Sequence, residues 1–479
     1  MAASFFFYDL ETSGFSPHAD RIMQFAGQRT DTKLQPIGEP VNLSIKLPPD
    51  VLPSPDAILI TGITPQSTLA DGLTEVEFLR YFYDEIATPD TCFVGYNTVR
   101  FDDEFMRCLN YRNFYDPYEW QWQDGRGRWD LLDVVRMTRA LRPDGINWPM
   151  TEDGKPTNRL ELLTKENGLA HEHAHDALSD VYATISIAQL IRDKQPKLFD
   201  WLYQTRTKKA VQDVVEGGQP FVYTSGKYPA EYEKTTAVWT ICQHPGRQGA
   251  LVYDLRHDPT PYLAMDIDQI VDAWRWKKDR EDQPLPIKSL QYNRCPAIAP
   301  LGVLDAPSQQ RLKLSLDTIQ KHVTILKQAR GFSERLCKAL EVLDDERSRN
   351  YVTDQPADAR LYDGFCPEGD KAIQRAIRAA QPAELNVDQF SFKDKRFREL
   401  LPLYKARNFS SAMTEEEQLE WEAYRSKKLF GGGQNSQLAK YFARLQELAA
   451  RPELTADQQY LLEELQLYGQ SVMPSDVAE

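Results

Sequence analysis

The chain has 479 residues, of which 41% are hydrophobic, and this length predicts two or three domains with packed cores rather than a disordered protein. A net charge of -14 argues against a protein that coats nucleic acid over its whole surface, although a local basic groove stays possible. No stretch approaches the ~18 apolar residues that a membrane span needs, and six scattered cysteines form no C-x-x-C pair. We therefore expect a cytoplasmic protein with reduced thiols and no membrane contact.

The first predicted strand is an aromatic run, Phe5 to Tyr8, that leads into Asp9-Leu10-Glu11 and breaks at Ser13-Gly14. Because successive strand side chains point to opposite faces, Asp9 and Glu11 share one face. Two anions held side by side repel each other and lose hydration, so they need a cation or a proton. The pair suggests a divalent-metal site, although carboxylates at this spacing are also common on solvated strand edges.

The residues that follow predict a sheet with helices packed on it. Period-two alternation predicts strands at 23–28 and 41–47, and apolar spacing predicts helices at 57–65 and 74–86. Further helices are expected from Trp129 and from Asn158.

The segment 91–97 reads as a buried strand that runs directly into a helix at 101–109. This is the unit of a parallel sheet, and such folds place their sites at the strand end. Asp102 falls in the first helical turn, where a carboxylate is also an ordinary partner of the helix dipole.

Histidines alternate at positions 171, 173 and 175, just before a long helix that is predicted to end near Arg192. Asp176 is the predicted N-cap of this helix. Positions 175 and 180 lie about 140° apart around a continuous helix, so both reach one site only if His175 sits in the entering loop. His171, His173 and His175 could alternatively bind zinc, although neither a cysteine nor a nearby fourth ligand accompanies them.

Taken together, Asp9-x-Glu11, Asp102 and His175-x4-Asp180 resemble the four-acid-plus-histidine pattern of the DnaQ-like 3'-to-5' exonucleases. Other segments are similar to the bacterial exonuclease I family of single-strand-specific DNA exonucleases, and these are residues 59–66, 96–104, 111–118, 128–134, 145–149 and 361–365. The resemblance is dense over residues 1–200, sparse from 205 to 300, and returns in patches such as 405–409.

The resemblance implies an α/β fold with three domains that close a groove around the strand. These would be an RNase H-like (DnaQ-like) exonuclease domain with a mixed sheet at 1–195, an SH3-like β-barrel domain at 196–348, and a helical C-terminal domain at 349–479. The patterns agree, because segments 236–242 and 250–255 predict a hairpin and the residues beyond Ser308 are mostly helical. Three glycines at 431–433 are typical of a hinge.

The expected chemistry follows from the charges. Four carboxylates in one pocket can hold two Mg²⁺ ions ~3.5 to 4 Å apart, with Mn²⁺ able to substitute, and the residues are Asp9, Glu11, Asp102 and Asp180. His175 is suited to accept the proton of the attacking water. The resemblance implies hydrolysis of single-stranded DNA from its 3' end to nucleoside 5'-monophosphates, in DNA repair and recombination.

The resemblance also implies contacts to the strand and to a partner. Aromatic faces stack on bases and arginines bind phosphates, and the matching positions are Glu11, Arg107, Tyr118, Trp122, Arg136 and Arg159. Arg142 matches a basic residue that binds the acidic C-terminal tail of single-stranded DNA-binding protein. Each of these side chains could instead fill core or surface, and Ser13 stands where some members carry an aromatic. A monomer is expected.

Two other functions compete with this interpretation. One is an RNA-trimming or polymerase-associated proofreading exonuclease of the same superfamily, but those proteins are typically short, whereas about 280 residues follow the nuclease domain here. The other is a non-catalytic scaffold that binds single strands. A scaffold has no physical need for four mutually repelling acids.

Overall fold

The computed structural model describes residues 3–170, 176–275, 284–349 and 355–474. A mixed five-stranded sheet in the order β3-β2-β1-β4-β5 forms the first part of the chain. Its central strand β1 runs antiparallel to β2 and parallel to β4. The strands are β1 (Ser4–Thr12), β2 (Ile22–Thr30), β3 (Val41–Ser44), β4 (Thr91–Gly95) and β5 (Gly127–Asp130).

Helices cover both faces of this sheet. They are α1 (Pro55–Thr61), α2 (Pro65–Asp71), α3 (Glu75–Tyr81), α4 (Asp102–Arg112), α5 (Leu131–Leu141), α6 (Leu160–Glu166), α7 (Ala177–Lys194) and α8 (Pro196–Gln204). The next helix, α9 (Lys208–Val215), packs against Phe221 and Val238 instead of this sheet.

The aromatic run of β1 is buried on both sides, as its composition predicts. Phe5 and Phe7 pack into the core that contains Val181 and Ile185 of α7. Phe6 and Tyr8 pack on the opposite face, in the core that contains Phe93 and Trp120. Because side chains alternate along a strand, Asp9 and Glu11 point to the same side as Phe5 and Phe7, toward α7.

The prediction of a helix from Trp129 is wrong at its start. Residues Gly127–Asp130 form β5, which pairs in parallel with β4, and the helix begins only at Leu131. The Trp129 ring is buried 5.0 Å from the ring of Phe199 on α8. Tertiary packing therefore turns four residues with little strand signal into a sheet edge.

Other predicted elements differ in their bounds. The predicted 57–65 helix begins at Pro55 and ends at Thr61, where Gly62 caps it with a left-handed φ of 71°, before Pro65 starts α2. The predicted 74–86 helix is α3 followed by a π-helical turn at Phe82–Ile86. The strand predicted to reach residue 47 ends at Ser44.

A second five-stranded sheet, antiparallel throughout in the order β10-β6-β7-β8-β9, follows. The predicted hairpin is confirmed as β7 and β8. The strands are β6 (Phe221–Thr224), β7 (Thr235–Gln243), β8 (Gly249–Asp254), β9 (Ile287–Gln291) and β10 (Ala297–Pro300). The helices are α10 (Thr260–Leu263), α11 (Ile267–Trp274), α12 (Ala306–Leu312), α13 (Leu316–Gln328) and α14 (Phe332–Arg349).

The remainder of the described chain is helical, as predicted. Its helices are α15 (Glu368–Ala379), α16 (Lys395–Asn408), α17 (Glu415–Phe430), α18 (Gln437–Ala449) and α19 (Ala456–Ser471). The glycines at 431–433 connect α17 to α18. Across the described ranges, no helix combines the length and the apolar character that crossing a membrane requires.

A buried charge network joins these C-terminal helices to the first sheet. Arg407 lies 2.7 Å from Asp50 and 2.8 Å from Asp358, and Lys428 lies 2.6 Å from Asp50. Arg21, which immediately precedes β2, pairs with Asp358 at 2.7 Å. Buried charges are tolerated only when they are paired, so this network fixes how the two parts of the chain sit together.

Candidate active site

Three carboxylates converge where β1 meets α7. Oxygens of Asp9, Glu11 and Asp180 all lie within 4.8 Å of one another. Asp176 caps α7 by accepting the backbone N–H of Ser179 at 3.1 Å, as the sequence predicts, and this places Asp180 in the first turn. The strand thus supplies two acids and the helix entrance a third.

The surroundings of these acids oppose negative charge. Burial raises the pKa of Asp9 well above its usual value, and the nearby Asp102, Asp180 and Asp176 raise it further. Burial, with Asp9 next, raises the pKa of Glu11 to about 9. Removing the hydration of carboxylates while bringing them together produces this effect, and a bound cation would reverse it.

Asp102 is the first residue of α4, is buried, and lies outside the tight group of three. Burial raises its pKa, and Glu11 contributes to that rise. It is close enough to Asp9 to raise the pKa of that carboxyl as well. The structure therefore brings all four predicted acids into one electrostatic neighbourhood.

Asp130, which sequence reasoning did not single out as a site residue, fixes the turn that carries Asp102. Its carboxylate accepts the backbone N–H groups of Asn97 at 2.9 Å and Val99 at 3.1 Å. It also caps α5 by accepting the N–H of Leu132. Burial raises the pKa of Asp130 to about 6, and these three hydrogen bonds offset part of that effect.

Asp103, the neighbour of Asp102, anchors α4 from the other side. The Tyr8 hydroxyl donates to Asp103 at 2.7 Å, and Arg128 forms an ion pair with the same carboxylate. Tyr8 adjoins Asp9 in β1, so the strand and the helix that carry the acids are tied directly to each other. The only sequence signal for this role was a second acid beside Asp102.

The donor set fits hard divalent cations. Magnesium and manganese prefer carboxylate oxygens, and Asp9, Glu11, Asp102 and Asp180 supply four carboxyl groups. Buried acids with raised pKa values in a cleft are typical of functional sites rather than of solvated edges. His175, the predicted base, lies outside the described residues, as does the alternative zinc set of His171, His173 and His175.

A cleft of about 470 Å³ opens above Asp9 and Asp180. Two predicted strand contacts, Arg136 and Arg159, line it. Lys234, which precedes β7 in the second sheet, also lines the cleft. Sequence reasoning did not predict this contact, because Lys234 belongs to a distant part of the chain and lies in a left-handed turn with φ of 56°. The site is therefore built from two parts of the chain.

Two other predicted contacts lie in a separate cavity of about 360 Å³. Arg107 and Tyr118 are neighbours there, with the guanidinium 5.4 Å from the ring centroid. Trp122 lines neither the cleft nor this second cavity, and it is 61% exposed. The predicted arginine and aromatic contacts thus divide into two residues that line the cleft with Asp9 and Asp180, two that line a second cavity, and one exposed ring.

Arg142, the predicted partner-binding residue, follows the last residue of α5. It pairs with Asp305 at 3.3 Å and donates to the Val303 carbonyl at 2.9 Å. It also donates to the Leu141 carbonyl at 2.6 Å, and its side chain is 35% exposed.

Three family models match successive parts of the chain. The exonuclease model matches residues 6–188, the exonuclease I SH3-like domain matches 206–341, and the exonuclease I C-terminal domain matches 355–472. The predicted fold class is therefore confirmed: an exonuclease domain with a mixed sheet, an SH3-like domain and a helical C-terminal domain.

Individual relatives are similar over nearly the whole length. Exodeoxyribonuclease I of Haemophilus influenzae is 38% identical, with 97% of this chain and 98% of that protein covered, and that of Escherichia coli is 39% identical, with 88% and 89% covered. Among solved structures, exonuclease I from Methylocaldum szegediense has a TM-score of 0.92 at 40% identity over 98% of this chain and 100% of that one. Escherichia coli exonuclease I in complex with a dA16 oligonucleotide has a TM-score of 0.92 at 37% identity, again over 98% and 100%. The chain therefore belongs to the exodeoxyribonuclease I family and is a DNA exonuclease.

Proposed function

We propose that this protein removes nucleoside 5'-monophosphates from the 3' end of single-stranded DNA in a reaction that depends on two Mg²⁺ ions. The observation that carries the proposal is the convergence of Asp9, Glu11 and Asp180, beside Asp102, at a cleft lined by Arg136 and Arg159. Buried and half-buried acids provide the ion sites, and cations on the wall bind the strand.

The chain's own residues have separate roles in this proposal. Asp9 and Asp180 would share one ion, and Glu11 would hold the second ion and contact the terminal nucleotide. When bound, the ions supply Lewis-acid activation of the phosphodiester and of the attacking water. His175 would accept the proton of that water, while Arg136, Arg159 and Lys234 hold the backbone on the cleft wall.

Single-stranded DNA is the proposed substrate because the described contacts suit it. Arg107, Tyr118, Trp122, Arg136 and Arg159 combine cations with aromatic faces, which bind single strands without sequence preference. A solved exonuclease I relative binds a dA16 oligonucleotide, and another is described as the zinc-bound form of an exonuclease I complex with single-stranded DNA. Action in DNA repair and recombination, in the cytoplasm and as a monomer, belongs to the same proposal.

A protein partner is also proposed. One solved relative is a complex of exonuclease I with SSB-Ct, and we infer that this chain binds the C-terminal tail of single-stranded DNA-binding protein at Arg142. Its side chain is partly exposed, and a tail carboxylate could pair with the guanidinium. Arg142→Ala should weaken binding of the tail peptide and leave hydrolysis of a short free oligonucleotide unchanged.

One assay with matched substrates tests the catalytic proposal. Single-stranded DNA with a 3' label should lose mononucleotides when Mg²⁺ is present, while duplex DNA and a 3'-blocked strand resist. Asp180→Asn should lower the rate at least about 1,000-fold, because one ion loses a ligand. Asp213→Asn on α9, an exposed acid paired with Lys209, is the matched control and should keep full activity. Equal activity on RNA, or full activity of Asp180→Asn, would contradict the proposal.

A further inference from the structure

Three parts of the chain meet at the carboxylate of Glu104, on α4. Arg107 of the same helix donates to it at 2.6 Å, and Arg294, just after β9, donates to it at 3.2 Å. The hydroxyl of Tyr362, from the C-terminal part, donates to its second oxygen. One side chain therefore accepts hydrogen bonds from the exonuclease, SH3-like and C-terminal domains.

The surroundings of Glu104 are built for an anion. The cavity of about 360 Å³ around it is lined by Arg107, Arg128 and Arg294, together with Tyr118 and Tyr362. Among the described residues, Asp103 is the only acid besides Glu104 that lies within ion-pair distance of these three arginines. The three guanidinium groups thus face two carboxylates, those of Asp103 and Glu104. Of these two acids, Glu104 is the one that lines the cavity.

This arrangement occupies a residue that the proposed function assigns to DNA. The Arg107 side chain is only 6% exposed, because Glu104, Gln121 and the Tyr118 ring surround it. A strand phosphate cannot pair with the Arg107 guanidinium in the same place as Glu104. Binding must therefore exchange one anion for the other.

We infer that Glu104 is a built-in stand-in for a backbone phosphate, which occupies the cationic cavity between the three domains until single-stranded DNA displaces it. The exchange transfers the Arg107 and Arg294 donors from the carboxylate to the phosphate, whereas the Tyr362 hydroxyl holds only the carboxylate. Glu104 thereby lowers affinity for DNA. This inference rests on the proposed function, since it takes the DNA backbone as the displacing anion.

A purely structural role for Glu104 makes the opposite prediction. If its hydrogen bonds served only to hold the domains around the strand, weakening them would open the cavity and weaken binding. If it competes with phosphate, removing its charge also removes its repulsion of the strand, and binding becomes tighter. The sign of the change in affinity separates the two roles.

The experiment is binding of the full-length protein to fluorescein-labelled dT16 in EDTA, where no hydrolysis occurs, over a series of salt concentrations. Glu104→Gln keeps the shape of the side chain and removes its charge. We expect its Kd to fall at least about threefold at low salt, and the slope of log K against log salt to steepen by about 0.7, the value for one more phosphate contact on a single strand. Glu447→Gln is the matched control, because it removes one exposed charge from an arginine pair on α18, outside this cavity.

A second variant tests the same exchange without changing Glu104 itself. Tyr362→Phe removes the hydroxyl that holds the Glu104 carboxylate and keeps the ring, so it should tighten binding in the same direction by a smaller factor. If Glu104→Gln binds dT16 no more tightly than Glu447→Gln does, the role inferred for Glu104 is wrong and the proposed function is unaffected. Failure of the unmodified protein to bind dT16 overturns both.

Discussion

The carboxylate of Asp130 accepts the backbone N–H of Asn97, 33 residues earlier in the chain, at 2.9 Å. This bond holds the end of β4 in the turn that delivers Asp102 to the site. Asp130→Ala leaves the N–H groups of Asn97, Val99 and Leu132 without this partner, so we expect a loss of about 1 to 3 kcal/mol in the free energy of unfolding. A displacement of Asp102 by about 1 Å should also lower kcat up to about 100-fold. Steady-state kinetics and urea unfolding measure the two effects.

Asp266→Ala provides the matched control for Asp130. Asp266 caps α11 in the SH3-like domain through a capping box, so its loss should cost about 0.5 to 2 kcal/mol of stability. Activity should be unchanged, because α11 carries no predicted site residue. If Asp130→Ala lost stability but kept its full kcat, the positioning role of Asp130 would be wrong.

Asp9 illustrates a conflict between stability and function. Burial and the neighbouring acids raise the pKa of Asp9, so its ionised form destabilises the metal-free protein. Asp9→Asn should therefore raise Tm in EDTA and abolish activity. Added Mg²⁺ should raise the Tm of the unmodified protein and have much less effect on the variant, because a ligand stabilises only the state that binds it. Thermal scans in EDTA and in Mg²⁺ decide this, and an unchanged or lower Tm of Asp9→Asn in EDTA would contradict it.

The buried pairs of Arg407 predict a dependence of stability on pH. Arg407, with Lys428, holds the pKa of Asp50 well below its usual value, and Arg407, with Arg21, lowers the pKa of Asp358. Acids with depressed pKa values stabilise the fold above about pH 4, and this contribution is lost as the pH falls toward their folded pKa values. Arg407→Met should cost about 3 to 5 kcal/mol at pH 7, as expected for breaking a buried pair.

Urea unfolding at pH 7, 5 and 3 tests this prediction. The difference between Arg407→Met and the unmodified protein should shrink as the pH falls below about 4, because the unfolded chain then binds protons on Asp50 and Asp358 while the paired acids of the unmodified protein stay ionised. Arg444→Met is the control, since Arg444 forms a similar two-bond pair with Asp56 but at the surface. Its effect should be small, and a difference for Arg407→Met that does not change with pH would refute the assignment.

Trp122 is the most exposed of the predicted aromatic contacts. Stacking of one base is worth about 1 to 3 kcal/mol, so Trp122→Ala should raise the Kd for single-stranded DNA at least about fivefold. Folding stability should hardly change, because the ring is 61% exposed. Tyr460→Ala on α19, with a side chain 57% exposed, is the matched control. Equal affinities of the two variants in a fluorescence titration would remove Trp122 from the binding surface.

Local sequence was sufficient for the parts of the site that lie within single elements. The buried strand ending in Asp9 and Glu11, the entry of Asp102 at the start of α4, and the cap of α7 by Asp176 all follow from short patterns. These patterns fix which face a side chain takes and where a helix begins. The assignment of four acids to one site needed the family resemblance, since no local rule brings residues 9, 102 and 180 together.

Features that depend on long-range packing were missed. β5 is only four residues long, and all four pair in parallel with residues of β4. Lys234 reaches the cleft from another domain, and the partners of Asp50 lie 357 and 378 residues away. A buried acid next to a distant cation has no signature in sequence, because the same residue types also make ordinary solvated surfaces.

Helix α5 connects two of the proposed sites. It begins after Asp130, beside the turn that carries Asp102, and Arg142 follows its other end. Eleven helical residues rise by about 16 Å, so the helix is a rigid spacer between the catalytic cleft and the proposed partner site. If a partner's tail is held at Arg142, the strand that the partner carries gains a high effective concentration at the cleft. Capture would then raise the rate of engagement without changing any residue that touches DNA.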